Sequence, residues 1–301
     1  MTKIPYPKRL ISFTNQIELL KRRGLAFSEE TKALHLLQNI SYYRLSGYWY
    51  PLLSDKQNHI FRPGSTFETA YSLYKFDSEL RKFVIVELEK IEVAVRTQTA
   101  YILSSRYGAN WFEDASLFAN PIRHAKILAK IDEEYQRSDE VFITSFRTKY
   151  SDHYHPSWMT MEITSFGTLS ILYNNLLPGQ AKRKIANYFG LADSVFASWL
   201  HSIVYIRNIC AHHSRLWNRA LGVRPLMPRA PHNTFITIPP SGTRQVYFIL
   251  SMIIYLLNTV NPNHSFIPRF KGLLNRYPMV DTKAMGFPEE WENEPLWKTT
   301  N

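Results

Sequence analysis

Helical periodicity constrains this chain more than any other feature. From Thr66 to about Tyr107 the residues Leu80, Phe83, Val84, Val86, Leu88, Ile91, Val95 and Thr99 outline one helix face. Thr66 is the expected cap, Gly108 lies beyond the end, and Asp77 is a point where the helix can restart. Similar patterns predict helices at Thr14–Arg23, stopped by Gly24, and from Ser28, with Glu29 and Glu30 suiting the dipole of its first turn. Others are expected at Arg123–Gln136, Glu140–Tyr150, Trp158 to about Leu176 with Gly167 in its middle, and Gln180–Phe189. A helix from Ala192 to about His212 places Phe196, Trp199, Ile203, Ile206 and Cys210 on one side. Gln245–Leu257 and a basic segment near Pro268–Arg276 complete the set. Only 11 Gly argues against a fold of tight β-turns. The expected class is all-α: a helical bundle over 66–277, accessory helices in 1–65, and a tail, 278–301, loosely held after Asp281. A Pro-rich loop at 222–242, with Pro225, Pro228, Pro231, Pro239 and Pro240, either docks or moves, and has room for an extended piece at Phe235–Ile238.

The 301 residues suffice for one large domain or two modest ones, and 45% hydrophobic residues exclude global disorder. A net charge of +11 and a pI near 9.6 point to a polyanionic partner, most commonly nucleic acid. An anionic membrane, or a basic protein with no such partner, fits charge alone. Aromatics reach 14%; many belong in a core, while some suit stacking on unpaired bases. One cysteine, Cys210, leaves no intrachain disulfide and no Cys-based zinc cluster, and its apolar setting reads as a small buried hydrophobe. Met1–Pro7 has no apolar leader core, and the apolar run Val246–Leu257 is too short to span a bilayer. A cytoplasmic protein without a membrane partner is the expectation.

Candidate chemistry concentrates in Arg207-Asn208-Ile209-Cys210-Ala211-His212, followed by His213-Ser214-Arg215. A guanidinium grips phosphate in two-toothed fashion, and an imidazole carries protons near neutral pH. Plainer roles exist: Arg207 as a surface ion-pair residue, His212 as a helix-end residue favoured by the macrodipole, His213 as an exposed residue past the helix. Five residues turn an ideal helix by about 500°, leaving Arg207 and His212 roughly 140° apart. Either the helix ends between them or they act across a cleft. Arg147 and His153 form a looser copy, without the Asn after the Arg and with the His in a loop. Arg96 follows Glu89 and Glu92 at helix-pairing distances, so it is an ion-pair residue or an arginine aimed at the same candidate site. Lys182, Arg183 and Lys184 read as a solvated face. His124, His153 and His155 lack the spacing of a metal site, so no metal or cofactor is expected.

The Arg-Asn-x-x-x-His block resembles the motif of the HEPN ribonuclease superfamily. Four blocks in order, Ile40–Pro51, Tyr74–Arg81 with Glu89–Arg96, Ser157–Ser170 and Trp199–Asn218, resemble the Abi family of bacterial abortive-infection proteins of the AbiD and AbiF type. That resemblance implies a HEPN-like helical domain, phage defence by halting the host, and RNA as target. Arg207, Asn208 and His212 become the catalytic candidates, with Arg96, His213 and Arg215 as weaker RNA contacts. It also implies a homodimer and allows a noncoding RNA or antitoxin partner. The two leading classes are an RNA endonuclease toxin and a non-catalytic RNA-binding or regulatory protein; a metal-dependent enzyme is third. No block matches the C-terminal third.

Overall fold

The computed structural model describes residue 5 and residues 9–237 and 242–298. In chain order they form α1 (Phe13–Arg22), α2 (Glu30–Ile40), α3 (Tyr42–Trp49), an antiparallel hairpin of β1 (Leu53–Asp55) and β2 (Ile60–Phe61), and α4 (Phe67–Tyr107). There follow α5 (Pro121–Arg137), α6 (Val141–Lys149), α7 (Ser157–Ile163), α8 (Phe166–Asn175), α9 (Gln180–Tyr188), α10 (Asp193–Ala211), α11 (Val246–Val260) and α12 (Phe266–Arg276). The fold is all-α, as the periodicity predicts. The chain divides into two compact units: residues up to Leu80 with Gly272–Val280, and Arg81–Lys271 with the residues from Asp281 on.

In the first unit, the Ser12 hydroxyl caps α1 by accepting from the Asn15 N–H at 3.2 Å, and Gly24 follows the helix at φ 91°. Ile17, Leu20, Leu37, Leu45, Trp49, Phe67 and Ala70 share one core. Asp77 does not restart α4. It is buried in the unbroken helix and accepts from the Tyr48 hydroxyl at 2.6 Å. The hairpin escapes periodicity because each strand is so short. Leu53 and Phe61 are its buried contributions, and the Asp55 carboxylate accepts from the N–H groups of Gln57 and Asn58 at 2.8 and 3.0 Å to close the turn.

The second unit is built around α11, whose every side chain from Val246 to Leu257 is buried. That burial explains an apolar run with no polar face. α10 packs on α8 and α9, and α5 on α8. One expected helix is two: the Trp158–Leu176 pattern breaks at Thr164–Ser165. Thr164 is extended, with ψ 132°, and Ser165 caps α8 by accepting from the Thr168 N–H at 3.2 Å. Glu134 accepts from the Ser165 N–H at 2.9 Å, and Arg96 donates to the carbonyls of Met161 and Thr164. Distant partners thus satisfy the groups that a continuous ladder would have used.

The Pro-rich loop docks. Leu226 is held at both ends of its peptide unit: its N–H donates to the Ser198 hydroxyl at 3.0 Å, and its carbonyl accepts from the Trp199 indole at 2.7 Å. Phe235 packs against Trp199, Phe248 and Tyr255. Phe235–Thr237 is not a strand. Ile238, Pro239 and Pro240 lie outside the described residues, as does the Met1–Pro7 leader reading apart from Pro5. The segment after Asp281 is packed rather than loosely held. Phe287, Trp291 and Trp297 are buried and form a ring cluster with Tyr247 and Phe270. Among the described residues, no single helix is long and apolar enough to cross a membrane.

His155 links this packing to pH. It is buried between Tyr135 and Phe146, and burial holds its pKa below the usual 6.5. The unfolded chain then binds a proton that the folded chain refuses, so stability is full above 6.5 and falls as pH drops below it. Urea unfolding at about pH 7.5 and about pH 5.5 is expected to show a smaller loss for His155→Phe than for wild type. Equal losses in the two proteins refute this.

Candidate functional site

The buried side of α10 fixes its exposed end. Phe196 stacks on Phe189 with centroids 4.7 Å apart and meets Tyr173 edge-on at 5.1 Å. Trp199, Leu200, Ile203, Ile206 and Cys210 continue the buried face, matching the side expected from sequence. Arg207 and Asn208 fall on the exposed side of the last turns. An Arg207 Nη1 lies 3.5 Å from Asn208 Oδ1.

The helix ends between Arg207 and His212, the first of the two geometries open from spacing. The His212 N–H donates to the Asn208 carbonyl at 2.9 Å, the His213 N–H to Cys210 at 3.2 Å, and the Ser214 N–H to Ile209 at 2.9 Å. This is a Schellman closure, and its left-handed position, normally glycine, is His213 at φ 55°. A β-carbon there costs about 1–2 kcal/mol. The turn leaves His212 and His213 exposed in consecutive positions at the carboxyl end of α10. Leu216 and Trp217 are buried and anchor the chain directly afterwards. Arg219 then returns to α10, with Nη2 3.5 Å from the Tyr205 hydroxyl and Nη1 3.4 Å from the Arg215 carbonyl. Arg207, Asn208, His212, His213 and Arg215 therefore belong to one helix end and the turn that closes it.

Sequence reasoning passed over a wider electrostatic signal. Between Asp193 and Asp281 there is no Asp or Glu, yet the stretch holds Arg207, Arg215, Arg219, Arg224, Arg229, Arg244, Arg269, Lys271 and Arg276. Within the second unit, Glu87 pairs with Arg269 at 2.8 Å and Glu292 with Lys271 at 3.1 Å. Among the described residues, Arg207, Arg219, Arg224 and Arg229 form no ion pair with a carboxylate. The surface ion pair expected as a plain role for Arg207 is thus not made. A count of carboxylates along the sequence would have found this region.

Arg96 sits apart from that surface. It is 9% exposed, pairs with Glu92, and donates to the carbonyls of Met161 and Thr164. The Glu92 ion pair expected from spacing is present. The link to α10 is indirect: Arg96 holds the α7–α8 break, and three residues beyond Thr164, Gly167 faces Val204. A β-carbon on Gly167 would lie 3.9 Å from Val204 Cγ1, one turn before Arg207 and Asn208.

The remaining titratable candidates have separate partners. Arg147 lies over the Tyr135 ring, 4.0 Å from its centroid, and His153 reaches Asp132 at 3.3 Å, so the looser Arg–His pair is not brought together as a site. His124 Nε2 bonds to the Phe112 carbonyl at 2.7 Å. His155 Nε2 is 3.4 Å from the Ile143 carbonyl. Among the described residues no three His, Cys, Asp or Glu side chains converge as metal ligands do.

The family model described as "Abi-like protein" matches residues 35–218, which include the whole α10 turn. No curated protein and no solved structure matches the chain.

Proposed function

We propose, for a chain that belongs to the Abi-like protein family, that it is a metal-independent RNA endonuclease acting in abortive-infection defence against phage. The observation that carries this reading is the exposed α10 terminus, where a guanidinium without a carboxylate partner, a carboxamide and an imidazole share one helix end.

RNA brings its own nucleophile, the 2′-hydroxyl. Cleavage needs that proton removed, charge on the phosphate stabilised, and the departing 5′-oxygen protonated. In this reading His212 moves protons as general base or acid. Arg207 stabilises the charge that builds on the phosphate oxygens. Asn208 orients a phosphate oxygen or the imidazole through its amide. The products are a 2′,3′-cyclic phosphate and a 5′-hydroxyl. Arg215 and His213 add cationic or donor contacts along the backbone, while Arg96 supports the site through the α7–α8 break.

One helix end offers one Arg-Asn-x-x-x-His constellation, whereas acid–base cleavage is easier with two imidazoles. A homodimer in which the two α10 ends face each other supplies both, and two-fold dimers are the commonest closed assemblies. A noncoding RNA or an antitoxin is the proposed restraint on toxicity.

Purified protein is expected to cut RNA in EDTA, to leave cyclic-phosphate ends, and to spare the 2′-deoxy analogue. Strict dependence on Mg²⁺ or Mn²⁺, or equal cutting of DNA, excludes this chemistry. Tight binding without cleavage under all conditions favours the non-catalytic RNA-binding reading.

A further inference from the structure

Of the seven tryptophans, Trp49, Trp111, Trp199, Trp217, Trp291 and Trp297 are buried, whereas Trp158 is 53% exposed. It lies on α7, on the wall of a concavity of about 520 Å³ shared with α4. Tyr101 of α4 lines the same concavity and is 68% exposed. Two large rings left in water forgo the stabilisation of apolar burial. Lining the same concavity, they are exposed rings of the kind on which unpaired bases stack.

The polar groups say what kind of ligand fits. Arg96 is at the edge of the concavity but its charge is already matched by Glu92, and two carbonyls take its Nη1 donors. It offers no unmatched cation for a phosphate. The Ser105 hydroxyl donates to the Tyr101 carbonyl at 2.7 Å, leaving its lone pairs to accept. Glu162 is exposed and, among the described residues, its carboxylate makes no ion pair or hydrogen bond. A carboxylate repels phosphate and accepts two parallel N–H donors. Among the RNA bases, guanine presents such a pair on its pairing edge, N1–H beside N2–H.

We infer that this concavity is a base subsite, in which guanine stacks on Trp158 and Tyr101 and donates to the Glu162 carboxylate while the RNA backbone is held elsewhere. The inference rests on the reading of the chain as an RNA-binding protein. The α7–α8 break connects the subsite to the α10 end, through Arg96 on one side and Gly167 against Val204 on the other.

Trp158 makes the test direct, because the other six tryptophans are shielded from a soluble quencher. Wild-type protein is titrated with guanosine 5′-monophosphate, uridine 5′-monophosphate and ribose 5-phosphate while tryptophan emission and its quenching by iodide are followed. The guanine nucleotide is expected to change the emission saturably and to protect it from iodide. Uridine 5′-monophosphate should bind more weakly, and ribose 5-phosphate should do neither. Tyr101→Ala should weaken binding roughly tenfold, and Glu162→Gln should remove the preference for guanine over uracil. Trp158→Phe should lose the emission change yet retain binding by equilibrium dialysis. No saturable change with guanosine 5′-monophosphate, the same change with ribose 5-phosphate, or unaltered binding in both Tyr101→Ala and Glu162→Gln overturns the inference. None of these readouts requires cleavage. A protein that cuts RNA but fails here loses the subsite and keeps the nuclease reading; one that binds guanine here but cuts nothing does the reverse.

Discussion

His212→Ala and Arg207→Ala are each expected to remove the proposed RNA cleavage and growth arrest while the protein stays folded. Loss of a proton-transferring imidazole is expected to cost about 10²–10⁴ in rate. Loss of a group that stabilises developing phosphate charge is expected to cost about 10²–10³. Neither side chain supports the core: both are exposed. The bond that closes the helix at His212 comes from its main-chain N–H, which alanine keeps. Each variant should therefore stay within about 0.5 kcal/mol of wild-type stability. Single-turnover cleavage, circular dichroism and urea unfolding on the same preparations check both halves. Variants that unfold would show the residues to be structural, and toxicity surviving in folded variants would refute the site. Mixing the two inactive proteins tests the assembly. If each site draws on both subunits, mixed dimers regain part of the activity or change it with the mixing ratio. A strictly monomeric, fully active protein in sedimentation at assay concentration removes the dimer.

Trp199→Ala is expected to destabilise the fold by about 3–5 kcal/mol, the range for deleting a large buried ring. Trp199 is fully buried, with Phe235, Phe248 and Tyr255 around it at centroid distances of 5.5, 6.3 and 5.5 Å. Its indole N–H also holds the Leu226 carbonyl at 2.7 Å. Truncation therefore opens a cavity and releases the docked Pro-rich loop together, and limited proteolysis within 222–237 should accelerate in the variant. Trp199→Phe refills much of the cavity but cannot donate to Leu226, so its loss should be smaller. A Trp199→Ala change below about 1 kcal/mol in urea unfolding contradicts this account.

Much of the helical scaffold was legible because its signal is local. α5 and α10 announce themselves through the spacing of residues that do become buried, as does α4 apart from the exposed Val86, and α11 through an unbroken apolar run; Gly24 and Gly108 mark ends where the backbone turns left-handed. The misreadings have long-range causes. Nothing near Thr164 says that Arg96, far back in the chain, will take its carbonyl, or that Glu134 will take the next N–H. Asp77 reads as a cap because Asp is favoured at helix starts, whereas in the folded chain it accepts from the Tyr48 hydroxyl within an unbroken helix. The tail's docking depends on Trp291 and Trp297 meeting Phe287 and Phe270, residues that show no periodicity among themselves. At the candidate site, residue types and spacing were visible, and so was the burial of one face of α10. The left-handed His213 was not, because the position favours glycine and the sequence offers histidine.

The guanidiniums near α10 that lack carboxylate partners have a consequence for handling the protein. Their balancing charge must come from solution, so the isolated protein carries a cloud of mobile anions there. In a cell extract the densest anions are polyphosphates, whose own condensed cations are set free when the two meet. On the proposed reading, that gain in entropy is expected to make RNA, whatever its sequence, the natural contaminant of a preparation made at low ionic strength. Absorbance in the ultraviolet band of the aromatic side chains would then report retained nucleotides as well as protein until concentrated salt removes them.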